Sequence, residues 1–366
     1  MTHTASKPPR FVRCDPATAT CPLFRALPKV HERPPLDVAY RGKSGGPSLR
    51  FSAREALGMP EQTVLLVLLE LAQEQYLHRP SELVVITPWS FGIGQHLWRA
   101  LHDGQPVRSG ETLYVRTSWH ELCGRCGSRG GRAQRLRQEQ LRRLCEVTVW
   151  EDAMDALHSF RQSRLVSVWH GDDIGLHLAV NVRLARAVMG GHYVALSLRE
   201  RLALSTDTAQ ALHAFLSAVI RLGRRWRFGV ETLMKRLWRK GDSAIPVGTV
   251  SSRRKAVRDG LEQIGALNGW EVTWPKVDVA SVSRKPAKVN GLAKGGSRVP
   301  SVELTSSLDG RRRDASGPIA ETFDVSRLLA GVADSPLPGT IAHDDMDFRQ
   351  RGDAEEASVS AGCSLP

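Results

Sequence analysis

The sequence predicts an α+β fold, mainly α with small β-sheets. It is built as two similar helical modules and closed by a disordered tail. Three observations carry this. An order of helix, helix, basic helix and strand occurs twice. All nine tryptophans lie between Trp89 and Trp274. Beyond Trp274 the composition turns to Ser, Gly, Pro and Asp, with Phe323 and Phe348 as the aromatics.

A chain of 366 residues has room for two domains and tails. The boundaries read as an N-terminal arm at 1–34, a first module at 35–180, a second at 181–275 and the tail at 276–366. The tail holds 12 basic and 13 acidic residues and cannot bury enough apolar surface to offset chain entropy. Within it "FDVSRLLAGVA" reads as a transient helix sooner than as a short helix formed on a partner. Residues 1–275 keep 39 basic against 25 acidic residues, a net +14. That excess suits a polyanionic partner, because each neutralised phosphate releases condensed counterions. The apolar run "VLLVLL" ends at Glu70, too short to span a bilayer, so no membrane partner is expected. "MTHTASKPPR" carries no signal-peptide pattern. Six cysteines in this length do not make a disulfide framework, and a cytoplasmic location with free thiols follows.

The first module opens with "EQTVLLVLLELAQEQYL", a helix that starts after Pro60 with Glu61 near its positive end. "LYVRTSWHELCGR" is a strand followed by a helix that Ser118 opens. A glycine-rich turn leads to "RAQRLRQEQLRRLCE", an arginine-dense helix. "VTVWE", "ALHSFRQSRLVSVWH" and "IGLHLAVN" read as strands of a hairpin, with "GDD" as its turn.

The second module repeats the order. "HYVALSLRERLAL" holds a short strand. "STDTAQALHAFLSAVIRLG" is a helix capped by Ser205 or Thr206 and ended by Gly223. "RLGRRWRF" joins it as a loop to "GVETLMKRLWRK". "VSSRRKAVRDGLEQIGALNG" is a third helix, stopped at Asn268-Gly269, and "WEVTW" is a strand. Helix, helix, basic helix and strand is the order of a winged helix, a helix-turn-helix variant with a β-hairpin behind it. Two tandem winged-helix domains are therefore expected.

Helical spacing sorts the two basic helices into faces. In the second, Val257, Leu261 and Ile264 form a narrow inward stripe. Ser251, Lys255, Arg258 and Glu262 project outward, with Arg253 and Arg254 beside them. Arg can bond guanine twice, and Lys or Ser can meet phosphate or base edges. In the first, Ala133, Leu136, Leu141 and Leu144 point inward, while Arg135, Gln138 and Arg142 point outward. Arg137 falls near the inward arc and must snorkel. The loop ahead supplies Arg125, Arg129 and Arg132 near a helix N-terminus, a place for phosphate. In "RLGRRWRF", Arg224, Arg225 and Arg227 suit backbone phosphate, and Trp226 suits the core. A solvated charged face is the ordinary alternative for each run. Position at the third helix of a tri-helical unit favours DNA.

Signals for chemistry fail. "GKSGG" at Gly42 would need Gly at 37 for a phosphate-binding loop, where Asp37 stands. "WHGDD", with His170, Asp172 and Asp173, is a hairpin turn sooner than a metal cluster. No catalytic triad or paired carboxylate is readable, so no enzyme, metal or cofactor is expected. Cys123 and Cys126 have the spacing of a zinc or redox pair, yet a second pair is missing and the dithiol falls late in a helix. Both read as small apolar fillers, Cys123 inward and Cys126 near the turn.

Several stretches together carry a family likeness. They are "RCDPATA", "LFRAL", "LDVAY" at Leu36, "FSAREALG" at Phe51, "LAVNVRLARAVMGG", "VALSLRERLAL" with "TAQALHAFLS", and "RRKAVRDGLEQIGALNGWEVT". Over about residues 12–275 the chain resembles the replication initiators of IncQ-type broad-host-range plasmids, the Rep C class. The resemblance implies winged-helix domains, binding to iteron repeats at a plasmid origin and opening of an adjacent A·T-rich segment. It also implies a helicase and a primase as partners, and a homodimer as an inactive form. A second reading is a transcriptional repressor of the same fold acting on its own operon.

Overall fold

The computed structural model describes residues 11–27, 32–41, 48–78, 84–104, 107, 109–152, 160–171, 175–238 and 250–285. The first part runs β1 (Val12–Cys14), α1 (Pro16–Thr20), β2 (Phe24–Arg25), β3 (Leu36–Arg41), β4 (Ser48–Ala53), β5 (Leu57–Gly58), α2 (Met59–His78), β6 (Val85–Ile86) and α3 (Ile93–Leu101). Next come β7 (Thr112–Thr117), α4 (Trp119–Arg125), α5 (Gly131–Glu146), β8 (Thr148–Asp152), β9 (Phe160–Arg164), β10 (Val166–Gly171) and β11 (Gly175–Val180). The remainder is α6 (Val182–Val188), β12 (Val194–Leu196), α7 (Leu198–Leu202), α8 (Asp207–Val219), β13 (Arg225–Gly229), α9 (Val230–Leu237), α10 (Val250–Gly265), β14 (Trp270–Lys276) and β15 (Val279–Arg284). The fold is α+β. With fifteen strands among the described residues, the sheets take a larger share than the sequence suggests.

Local chemistry explains the helix starts. Asp15, Ser118, Asn181, Ser197 and Thr206 each accept a backbone N–H of the following first turn. α2 is apolar on nearly every side, and such a helix is stable only inside protein. It packs against β1, β7, α4, α5, α6, α7 and α8, so elements of both modules enclose it. Its first-turn Glu61 is fully buried and accepts from Gly58 N at 2.8 Å and from Arg33 at 3.0 Å.

A repeat is visible in the topology. α2, β7, α4, α5 and the β10–β11 hairpin come in one order, and their sheet reads β10-β11-β7, with β6 beyond β7. α8, β13, α9, α10 and the β14–β15 hairpin follow the same order, and their sheet reads β14-β15-β13. In both, the early strand pairs antiparallel with the last strand of the hairpin. β3, β4, β8 and β9 form a separate antiparallel sheet.

One hydrophobic core runs from Val12 to Val282 through both repeats. The described residues all fall within one compact unit. Arg201 on α7 is 1% exposed and ties the first helix of each repeat. It donates to Met59 O at 2.9 Å, Thr63 Oγ1 at 3.0 Å and Gln210 O at 3.3 Å. Nearby, Glu200 accepts from Trp270 Nε1 at 2.9 Å and meets His213 Nε2 at 2.9 Å. Among the described residues no helix is long and apolar enough to cross a membrane.

Several expectations change. "ALHSFRQSRLVSVWH" is not continuous: it breaks at buried Leu165, and β9 and β10 join different sheets. "RLGRRWRF" is not a loop, because residues 225–229 form β13. α8 ends at Val219, earlier than expected, since Ile220 is already extended. Gly223, at φ +80°, instead makes the turn into β13 and donates to Arg284 O at 2.7 Å. Residues 276–284, assigned by composition to the tail, complete the last hairpin. Of the expected arm, residues 12–25 are built into the core, with Val12 and Leu23 fully buried and β1 paired to β12. "GKSGG", Asp172 and Asp173 of "GDD", and the tail from 286 onward, where "FDVSRLLAGVA" falls, lie outside the described residues.

Candidate nucleic-acid interface

The glycine turn before α5 is required by backbone geometry. Gly127 and Gly130 stand at φ +78° and +98°, where a side chain is strained. Cys123 and Cys126 are both buried ahead of it, and Ser128 N donates to Cys123 O at 3.1 Å. Burial pushes the Cys126 thiol up to about 11 and raises Cys123 as well, so both stay protonated at neutral pH. No group of three or more metal-type ligands is found among the described residues.

Arg125 does not wait for phosphate. It pairs with Glu74 at 2.7 Å, Glu121 at 3.0 Å and Glu70 at 3.2 Å, and so clamps α4 to α2. Arg129, Arg132, Arg135 and Gln138 are exposed, and the three arginines make no ion pair with any described residue. Arg142 is also exposed but sits among Glu55 and Glu139, both at 3.4 Å, and Glu146. Arg143, one residue on, bonds Glu55 at 2.6 Å and Glu61 at 3.2 Å. Arg137 takes the inward position: it donates to Gln140 Oε1 and to Ser128 Oγ at 3.0 Å. Leu136, expected inward, is 53% exposed, and Gln140 is buried in its stead. With Arg137 and Gln140 filling that arc, the helix is rotated slightly from the purely apolar solution.

In the second repeat Val257, Leu261 and Ile264 are fully buried, as their spacing requires. Gly260 lets α10 cross α8 closely, since a Cβ there would stand 3.1 Å from Leu212 Cδ1 and 3.3 Å from the Ala209 backbone. Ser251 and Lys255 are exposed on the opposite face. Arg253 is half-buried, with its guanidinium 5.8 Å from the centre of the Trp238 ring. Arg258 turns to the hairpin rather than to solvent. It donates to Val277 O at 2.7 Å and Asp278 Oδ1 at 2.9 Å, and lies 5.6 Å from the Trp274 ring centre. Arg254 approaches Asp278 at 3.8 Å. These two arginines hold the β14–β15 turn against α10.

On β13, alternation sorts the cluster. Trp226 and Phe228 stack on the core side, while Arg225 and Arg227 face out. Arg225 meets Glu271 at 3.2 Å, and Arg224 is exposed just ahead of the strand. Lys285 and Ser283 also bond Glu271, and these contacts hold its carboxyl below the usual range. Lys276 and Val277, which is 81% exposed, crown the hairpin turn. Sequence reasoning missed them because the tail was cut at 275. The alternation in "VDVASVSR" was the signal.

Two units that share one order of three helices, each with its own antiparallel sheet (four strands in the first, three in the second) and an arginine-bearing third helix, define a basic α+β protein of repeated helical modules. The chain belongs to the Replication protein C (RepC) family, whose profile matches residues 9–284. It is therefore a replication protein, and the matched region ends with the last residue of β15. Comparison with curated proteins gives no match. Among solved structures, the chain is similar to a selenomethionine derivative of domains 2 and 3 of RctB. The identity is 9% and the TM-score 0.43, covering 74% of this chain and 98% of that one. A second structure of RctB domains 2–3 aligns at 10% identity and a TM-score of 0.41, covering 74% and 97%.

Proposed function

We propose that the chain is a plasmid replication initiator of the IncQ type. In this reading it binds iteron repeats at the origin and promotes opening of neighbouring A·T-rich DNA. The observation that carries it is the repeated unit, each copy ending in an arginine-bearing helix with a hairpin behind, in a family of replication proteins. Each unit acts as a winged helix, with α5 and α10 as the helices that enter successive major grooves. Arg129, Arg132, Arg135 and Gln138 on the first unit, and Ser251, Lys255 and Arg224 on the second, meet bases and phosphates. Arg142, Arg225, Arg253, Arg254 and Arg258 support them, chiefly by fixing the helix and hairpin. Binding to adjacent repeats strains the duplex, and easily unstacked steps yield first. The chain supplies binding rather than chemistry, and plasmid or host helicase and primase load on the opened strand. A homodimer is its inactive form.

Footprinting on origin DNA tests this. Protection of direct repeats, with two major-groove faces per repeat, is the expected result. Protection confined to one palindrome over a promoter, with failure of the chain in trans to maintain a replicon carrying only that origin, overturns it.

A further inference from the structure

Leu136 is where helical periodicity and the folded protein disagree on α5. It is 53% exposed, one turn after Arg132, next to Arg135 and one turn before Glu139 and Gln140. A leucine left in water among cations does nothing for the free protein. An apolar protein surface covering it would also cover Arg132 and Arg135, and buried unpaired cations are costly. A DNA duplex meets both demands. Its phosphates neutralise the arginines, and the C5-methyl of thymine is the apolar group displayed in the major groove. The second repeat offers a contrast. On α10 the exposed positions from 251 to 265 are Ser251, Ser252, Lys255, Asp259 and Glu262, all polar, and its exposed apolar residue, Val250 at 59%, stands at the first position of the helix rather than in its body.

We infer that Leu136 packs on the C5-methyl of a thymine and is a specificity-determining residue of the first unit. This rests on the DNA-binding reading above. The second unit carries no such methyl contact from the body of α10.

The test uses the full chain and a duplex that it enriches from a random-sequence pool. Each thymine is replaced by uracil, one position at a time. The swap keeps every hydrogen-bonding group and removes the methyl alone. The wild-type chain should lose about fourfold in affinity at one or two thymines, the worth of one buried methyl-sized group. Those thymines should lie in the half of the duplex that the first unit protects. Leu136→Ala should bind the thymine and uracil duplexes equally there. Arg132→Ala should weaken both and keep their ratio. A methyl effect that persists in Leu136→Ala overturns the inference, as does a well-bound duplex with no methyl effect. Wild-type DNA affinity in Leu136→Ala, with a changed sedimentation mass, would assign the leucine to a second copy of the chain and overturns it too. Enrichment of no duplex at all would instead defeat the DNA-binding reading itself.

Discussion

Replacing Arg201 tests how the two repeats are joined. The side chain is 1% exposed and donates to Met59 O, Thr63 Oγ1 and Gln210 O, none of them a carboxylate. Burial pushes its pKa down to about 9, with Asp207 opposing, so the group is charged at neutral pH. Hydrogen bonds from a charged donor contribute about 1.5–3 kcal/mol each. Against them stands the desolvation of a guanidinium, several kcal/mol in its own right. Arg201→Ala relieves that penalty but leaves a cavity and strips a donor from three buried acceptors. The net loss should be about 2–4 kcal/mol. Arg201→Met fills most of the cavity and carries no charge, so it should lose less, about 1–2 kcal/mol. Urea unfolding followed by tryptophan emission reads both, since the tryptophans span both repeats. An Arg201→Ala protein within ~0.5 kcal/mol of wild type would refute the idea that this guanidinium pins α2 to α8.

Further predictions concern binding and stability. Arg132→Ala and Arg135→Ala should each lower the dependence of log affinity on log salt by about 1, while Arg142→Ala, already among carboxylates, should lower it less; a salt titration separates them. Arg258→Ala and Asp278→Ala should each weaken DNA binding by about 1–3 kcal/mol and be strongly non-additive, because both release the same hairpin turn; additivity in a double-mutant cycle would argue for a direct base contact by Arg258. Burial pushes His102 down to about 4, so between about pH 6.5 and 4 the unfolded chain binds a proton that the folded one does not. Stability should thus fall as pH drops through that window, by up to about 3 kcal/mol, and His102→Phe should flatten the fall in melts taken from pH 7 to 4. Gly260→Ala should destabilise by roughly 1–3 kcal/mol despite better helix propensity, because the new methyl meets α8; a raised melting temperature would count against that close crossing.

Much of the local structure was legible. Ser118 and Thr206 announced their helices, Gly127 and Gly130 announced a turn, and the Val257, Leu261 and Ile264 stripe announced the inward face of α10. The arginine clusters were legible as charge. Which arginines stay available was not. Arg125, Arg142 and Arg258 look equivalent to Arg129, Arg132 and Arg135 in a helical projection. Glu121, Glu139 and Glu146 stand at helical spacing from Arg125 and Arg142, but the partners Glu70, Glu74, Glu55 and Asp278 come from distant segments of the chain, and nothing in local spacing connects those. The hairpin end was lost for a related reason. "VDVASVSR" is a good strand pattern inside a window whose average composition is that of a tail.

What the sequence determined by itself is the repeated order of elements, the inward face of α10 and the concentration of positive charge before residue 276. These follow from capping, turn geometry and periodicity, which act within a few residues. What only the tertiary structure decided is the assignment of strands to sheets, the burial of the N-terminal segment, the exposure of Leu136 and the division of arginines into clamps and free donors. Those depend on contacts between residues far apart in the chain. A guanidinium takes whichever carboxylate the fold brings within reach, and an apolar side chain is buried only if the helix is free to turn it inward.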